Sequence, residues 1–284
     1  MSPRIRLPLR IRILPYLKDH RFEERSVLPA VESLRLLAAS VQSQWPDRDV
    51  RTMTDASFPR FLFIGEGDDF IAAENDIQID KQGNLIASLV TLIHSPSGRV
   101  TRAKEHVRVC FPQSHPDVEP LPFSAASRLN GAGSTGDTTL SCPRQLYQEL
   151  VPLGPAFQNV SGDLHLTEQG ATAHVRAAIH PRQPGPLGSP FPLDAALHCA
   201  CAWGQRFAGI VAFPVGFAKR FIFRPIVAGE TCFARIIPVR AERELLIFDI
   251  WIYNFDGAPY EALLGVVMRD VSSGRLKPPA WIRA

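Results

Sequence analysis

The strongest constraint on this chain is an order of elements that occurs twice. Val27, Val31, Leu34, Ala38 and Val41 recur at steps of four and three, and Leu28 and Leu37 widen the stripe into the buried face of an amphipathic helix, with Pro29 suited to its first turn. Strand-like runs follow around 58–65, 70–80, 85–94 and 100–111, broken by turn signals at Lys81-Gln82-Gly83-Asn84 and Ser95-Pro96-Ser97-Gly98. Beyond residue 143 the order returns: strands, a helix with Leu193, Leu197, Ala200, Gly204 and Phe207 on its apolar face, then strands around 215–223, 231–239, 245–253 and 262–270. Asn254-Phe255-Asp256-Gly257 reads as a hairpin turn between two of them. Little residue identity links the halves, so what repeats is the plan. The stretch between them, rich in Pro, Ser and Gly and containing Asn130-Gly131-Ala132-Gly133-Ser134-Thr135-Gly136, reads as a linker. The expected organisation is an N-terminal unit at 1–112, a linker at 113–143 and a C-terminal unit at 144–284. Together they make an α+β protein in which two antiparallel sheets each wrap one long helix about a pseudo-two-fold interface.

Composition removes several function classes. With 284 residues, 45% of them hydrophobic and 21% charged, the chain can bury a core and is neither disordered nor fibrous in make-up. No run of 18 apolar residues occurs and arginines break up the N-terminus, so neither a membrane span nor a secretory signal is expected, and a cytoplasmic location is the default. The net charge of +3 is spread along the chain, which does not suggest nucleic acid as a partner and leaves a small acidic protein compatible. Cys110, Cys142, Cys199, Cys201 and Cys232 are scattered and odd in number, read as reduced thiols, and show no zinc spacing. The N-terminal run Ile5-Arg6-Leu7-Pro8-Leu9-Arg10-Ile11-Arg12-Ile13 alternates apolar with mostly basic residues, as an edge strand with a solvated arginine face does.

Two short segments carry the chemistry. Asp19-His20-Arg21-Phe22-Glu23-Glu24-Arg25-Ser26-Val27-Leu28-Pro29 brings a histidine to the first helix, and Pro192-Leu193-Asp194-Ala195-Ala196-Leu197-His198 opens the second with an aspartate. An unperturbed imidazole is largely neutral near pH 7 and can act as a base. An aspartate can act as an acid only where desolvation raises its pKa, which Phe191, Leu193, Ala195 and Leu197 are placed to supply. The four-residue step puts His198 on the same helix face as Asp194, where a neutral ring would orient the carboxyl. Taken singly, His20 also reads as a turn residue, Asp194 as a helix cap, and Gly154-Pro155 with Phe157 as a turn and a core aromatic. His94, His106, His115, His165, His174 and His180 show no interpretable pairing.

Those residues also carry a family resemblance. The chain resembles dehydratase domains of modular polyketide synthases over nearly its whole length. The family's His-x-x-x-Gly-x-x-x-x-Pro motif is matched by His20 and Pro29, with Glu24 in the glycine position; its Tyr-Gly-Pro-x-Phe motif by Gly154, Pro155 and Phe157, with Leu153 in the tyrosine position; and its Asp-x-x-x-Gln/His motif by Asp194 and His198. The segments Phe213-Pro214-Val215-Gly216-Phe217 and Phe223-Arg224-Pro225-Ile226-Val227-Ala228-Gly229-Glu230 look like the family's C-terminal half.

The resemblance implies a double-hotdog fold and the elimination of water from 3-hydroxyacyl thioesters to give α,β-enoyl thioesters. His20 would take the C2 proton, Asp194 would protonate the departing hydroxyl, and His198 would orient Asp194. Backbone around Val27, Leu28 and Pro29 would support the thioester carbonyl, and Leu153, Gly154, Pro155 and Phe157 would line the tunnel. The implied partner is an acyl carrier protein bearing a phosphopantetheine-linked substrate, with no metal or organic cofactor, and a homodimer is compatible. The same pair would serve product-template-like cyclases or isomerases, since deprotonation beside a carbonyl starts them all. Glu24 and Leu153 motivate a third reading, a catalytically silent module that binds an acyl chain or scaffolds an assembly. Glu24 is expected to face solvent or pair with Arg21 or Arg25 rather than reach His20.

Overall fold

The computed structural model describes residues 3–94, 101–114, 116–123, 138–141, 144–179, 185–242 and 244–283. Strand β1 (Arg4–Arg12) turns Leu7, Leu9 and Ile11 toward the core and leads through a 3-10 turn (Pro15–Asp19) into a short hairpin, β2 (Arg21–Phe22) and β3 (Arg25–Ser26). Helix α1 (Ala30–Gln44) follows, then β4 (Thr52–Ser57), β5 (Phe70–Ile79), β6 (Leu85–His94) and β7 (Thr101–Phe111). The second half contributes β8 (Thr138–Ser141), β9 (Val160–Thr167), β10 (Gly170–Arg176), α2 (Phe191–Trp203), β11 (Phe213–Ile222), β12 (Thr231–Glu242), β13 (Leu245–Tyr253) and β14 (Pro259–Arg269).

Among the described residues, all strands except the β2–β3 hairpin join one antiparallel 12-stranded sheet, in the order β1-β5-β6-β7-β4-β11-β14-β13-β12-β10-β9-β8. The halves meet edge to edge where β4 pairs with β11, Met53 opposite Arg220 and Ala56 opposite Phe217. Each half curls around its own helix, which is the double-hotdog arrangement. Helix α1 buries Val31, Leu34, Leu37, Ala38 and Val41 and leaves Ala39, Ser43 and Gln44 exposed. Helix α2 is buried along its whole length, so its apolar residues are not confined to a stripe. Both helices contribute to one contiguous core with Ile77, Leu89 and Val109 from the first half and Leu164, Ile236 and Phe248 from the second.

Several local expectations are altered. Residues 58–65 form no ladder strand: β4 ends at Ser57, and the segment instead bonds to the chain entering α1, with Leu28 N–H on Leu62 O (2.8 Å), Ile64 N–H on Ser26 O (2.8 Å) and a bridge between Val27 and Phe63. Pro29 is the N-cap of α1 rather than a first-turn residue, so Val27 and Leu28 precede the helix. Strand β8 lies in the stretch read as linker, paired with β9. The turn at 254–257 is present, with Gly257 at φ 84° and Asn254 N–H bonded to Ala258 O at 3.0 Å. The Asp80 carboxylate accepts N–H groups of Gln82 and Asn84, closing the turn at Gly83. Ser95-Pro96-Ser97-Gly98, Asn130 to Gly136 and Cys142 lie outside the described residues.

Candidate active site

His20 ends the Pro15–Asp19 turn, ten residues ahead of α1, and the β2–β3 hairpin closes the distance. Its turn is Glu23-Glu24, with φ of 45° and 64°, the left-handed pair that a two-residue hairpin requires and that glycine or asparagine adopts most readily. The hairpin returns the chain so that Val27 N–H donates to His20 O at 2.9 Å. Glu24 is exposed, as expected, while Glu23 pairs with Arg275 at 2.9 Å.

Asp194 sits in the first turn of α2, where its N–H closes on Pro190 O (3.2 Å), but it is no cap: its side chain meets two histidines. His20 Nε2 lies 4.0 Å from Asp194 Oδ1, and His198 Nε2 lies 3.1 Å from Asp194 Oδ2. The ring N–H of His198 is poorly aligned with that oxygen, so Oδ2 keeps unspent acceptor capacity, and His20 Nδ1 is likewise buried without a hydrogen-bond partner. Buried polar atoms are almost always satisfied, so two orphans on facing titratable groups point to a reactive site. Of the three side chains, His20 is the most open, at 21% exposure against 7% for Asp194 and 8% for His198.

Phe157 packs its ring against His20, with centroids 5.1 Å apart in an edge-on contact, and is itself flanked by Tyr16 and Phe191. Burial in this aromatic setting is the largest influence on His20 and lowers its pKa from the ordinary 6.5; Asp194 pulls it up, His198 pushes it down, the Val27 backbone pulls it up, and the net is downward. His20 is therefore neutral near pH 7, the form a base requires. For Asp194 burial pulls upward, but His198, close by at 3.1 Å, and then His20 pull further downward, so the carboxyl lies below its ordinary 3.8. The expectation that desolvation alone raises it is corrected: the flanking Phe191, Leu193, Ala195 and Leu197 are buried, but two histidines offset them.

The structure thus gathers His20, Asp194, His198 and Phe157. Leu153 is buried in the core beside them in sequence but gives its carbonyl to Gln158 Nε2 (2.8 Å), and Pro155 is exposed rather than part of a wall. Val27 and Leu28 are buried, yet their N–H groups are committed to His20 O and Leu62 O, so neither is available to a thioester carbonyl. Pro29, buried at the head of α1, has no N–H to offer. Gly154 has a different part: its N–H donates to Asp19 O (2.8 Å), Asp19 Oδ2 accepts Ala156 N–H (2.9 Å), and a Cβ at Gly154 would fall 2.5 Å from Asp19 Cγ. Asp19, adjacent to His20, and Tyr147, whose hydroxyl lies 3.2 Å from His198 Nδ1, were not singled out by sequence reasoning. Asp19 had a signal in its adjacency to the histidine; Tyr147 had none. Two surface hollows of about 600 and 550 Å³ lie elsewhere, around Arg48 and Pro225 and around Lys18 and Phe70, and neither is lined by His20 or Asp194.

The family profile described as polyketide synthase dehydratase N-terminal domain matches residues 125–278. No curated protein matches the chain. Among solved structures, the dehydratase domain from the CurJ module of curacin polyketide synthase superposes with a TM-score of 0.74 at 16% identity, over 95% of this chain and 92% of that one. The dehydratase domain of PpsC from Mycobacterium tuberculosis, in complex with C12:1-CoA, gives 0.66 at 20% identity, covering 94% and 93%. A bifunctional dehydratase-cyclase domain from ambruticin biosynthesis gives 0.67 at 16%, covering 93% and 91%. At these identities the superpositions establish the double-hotdog fold, and with the profile spanning more than half of the sequence, the chain belongs to the polyketide synthase dehydratase family.

Proposed function

We propose that this protein eliminates water from 3-hydroxyacyl thioesters presented on an acyl carrier protein, with His20 as base and Asp194 as acid. The observation that carries the proposal is the 4.0 Å approach of an imidazole from one half of the chain to a carboxyl from the other, each with unused hydrogen-bonding capacity. C2 and C3 of an acyl chain are about 1.5 Å apart, so a substrate laid across both groups presents C2–H to one and the C3 hydroxyl to the other. In the form of the pair that holds one shared proton, with that proton on Asp194 and His20 neutral, His20 Nε2 takes the C2 proton, the C–H electron pair becomes the C2–C3 double bond, and the C3–O bond breaks as Asp194 hands its proton to the leaving oxygen, giving water. The pair ends as imidazolium and carboxylate and resets by proton exchange, for which the partly open edge of His20 provides access. Phe157 beside His20 favours an acyl chain, and the C12:1-CoA complex of the PpsC domain supports the same substrate class.

The test is incubation of purified protein with 3-hydroxyacyl-pantetheine thioesters and mass spectrometry for loss of one water. Water loss is expected, and it is expected to disappear in His20→Ala and in Asp194→Asn. Turnover surviving both substitutions would end the assignment, and a product of unchanged mass with a displaced double bond would replace elimination by isomerisation.

A further inference from the structure

We infer that Tyr147 is a positioning residue that fixes the tautomer of His198 and thereby decides where the Asp194 proton can go. The inference deepens the dehydratase reading and rests on Asp194 being the acid. The Tyr147 hydroxyl is buried between helix α2 and the start of β9, and its oxygen accepts the backbone N–H groups of Asn159 (3.1 Å) and Val160 (3.0 Å). A phenol oxygen has two lone pairs and one proton. With both lone pairs facing N–H donors, the proton is left for His198 Nδ1 at 3.2 Å. That nitrogen is then the acceptor, and a neutral His198 carries its hydrogen on Nε2, the atom 3.1 Å from Asp194 Oδ2.

The assignment matters because the opposite tautomer would undo the acid. An Nδ1–H imidazole would aim a bare Nε2 lone pair at the carboxyl, and imidazole holds a proton more strongly than a carboxylate does, with ordinary values of about 6.5 and 3.9. The proton would pass to His198 instead of to the substrate hydroxyl. With Nε2 already protonated, His198 can only donate toward Asp194, so the carboxyl proton keeps only the side of His20 and the substrate as its outlet. The titratable groups facing His198 are Asp194 on its own helix, His20 from the hairpin side and Tyr147. Only Tyr147 reaches Nδ1 among the described residues.

The experiment is long-range proton–nitrogen NMR on full-length chain labelled with ¹⁵N-histidine, the His198 signals being identified by their loss in His198→Gln. The wild type is expected to show a proton-free Nδ1 and a protonated Nε2 on His198. A protonated Nδ1 in the wild type overturns the inference, with no variant needed. In Tyr147→Phe the Nδ1–H tautomer is expected to appear and kcat to fall more than tenfold with KM held. A variant with unchanged tautomer would reduce Tyr147 to a packing residue. In His198→Gln, whose amide donates to Asp194 without a tautomer to set, adding Tyr147→Phe is expected to change kcat less than threefold; an undiminished effect counts against the inference. The two readings fail separately. The expected tautomer in a chain that dehydrates nothing removes the dehydratase reading alone, and a protonated Nδ1 in an active chain removes only this one.

Discussion

At the scale of single residues, the His20–Asp194 pair holds a balance between burial and mutual attraction, and its pH dependence follows. The active form needs neutral His20 and protonated Asp194, one proton shared by two groups that titrate together. Both groups lie below their ordinary values, 6.5 for the imidazole and 3.8 for the carboxyl. The single-proton form is therefore lost as pH rises through the lowered His20 value. For the free protein kcat/KM is expected to fall about tenfold per pH unit above 6.5, since one proton is removed. A flat profile between neutral and mildly alkaline pH would show Asp194 acting as a carboxylate. Glu24 illustrates a different residue-level effect. Its φ of 64° costs a side-chain-bearing residue about 1–2 kcal/mol, of which glycine would forfeit about 0.5–1 through unfolded-chain entropy. Glu24→Gly is expected to stabilise the protein by about 0.5–1 kcal/mol in urea unfolding while leaving the rate within tenfold, because the side chain is exposed. A larger rate gain would mean that Glu24 acts on His20 after all.

At the scale of elements, the hairpin and the Gly154–Phe157 segment deliver His20 jointly. Asp19 holds that segment through its carbonyl and its carboxylate, and Phe157, at the end of the segment, abuts the His20 ring. Gly154 is required because any Cβ would run into Asp19. Gly154→Ala is expected to cost about 1–3 kcal/mol, as overpacking does, and to lower kcat by up to about 100-fold through displacement of the neighbouring His20. Thermal unfolding and kinetics check this, and a stable variant with full kcat would show that the clamp does not set the base. The motif spacing made the segment visible in the sequence, but as a tunnel lining. Its role as a clamp was hidden because the partner, Asp19, lies in the other half of the chain. The hairpin was equally hidden, since Glu23-Glu24 is a poor turn signal whose left-handed backbone is imposed by the pairing on either side.

At the scale of the whole molecule, one core and one continuous sheet join the two repeated units. At the seam, Arg220 of β11 opposes Met53 of β4 and bonds Glu261 of β14 at 2.6 Å, with both side chains almost wholly buried. Removing one partner of such a pair strands the other charge, at a cost of about 3–5 kcal/mol. Glu261→Leu is expected to lower stability by that amount in a single unfolding transition, and two separate transitions would show that the halves are independent. The repeated plan was legible in the chain because helix and strand periodicities are local: α1, α2 and the later strands β11 to β14 fall close to where the apolar spacing puts them. The seam was not, since the strand expected at 58–65 lies instead at Thr52–Ser57, a segment mostly of Thr, Asp and Ser with little apolar alternation to mark it. The same division holds at the active site. Sequence alone determined the two helices, most of the strands that follow each of them, the presence of His20, Asp194 and His198, and the one-turn step that sets the last two on one face. Only the tertiary structure decided that the Asp194 carboxyl is held low, that the Val27 and Leu28 amides are committed elsewhere, and that Tyr147 stands behind His198. Charge state and hydrogen-bond direction are set by atoms within a few ångströms, and folding draws those atoms from segments far apart in the chain.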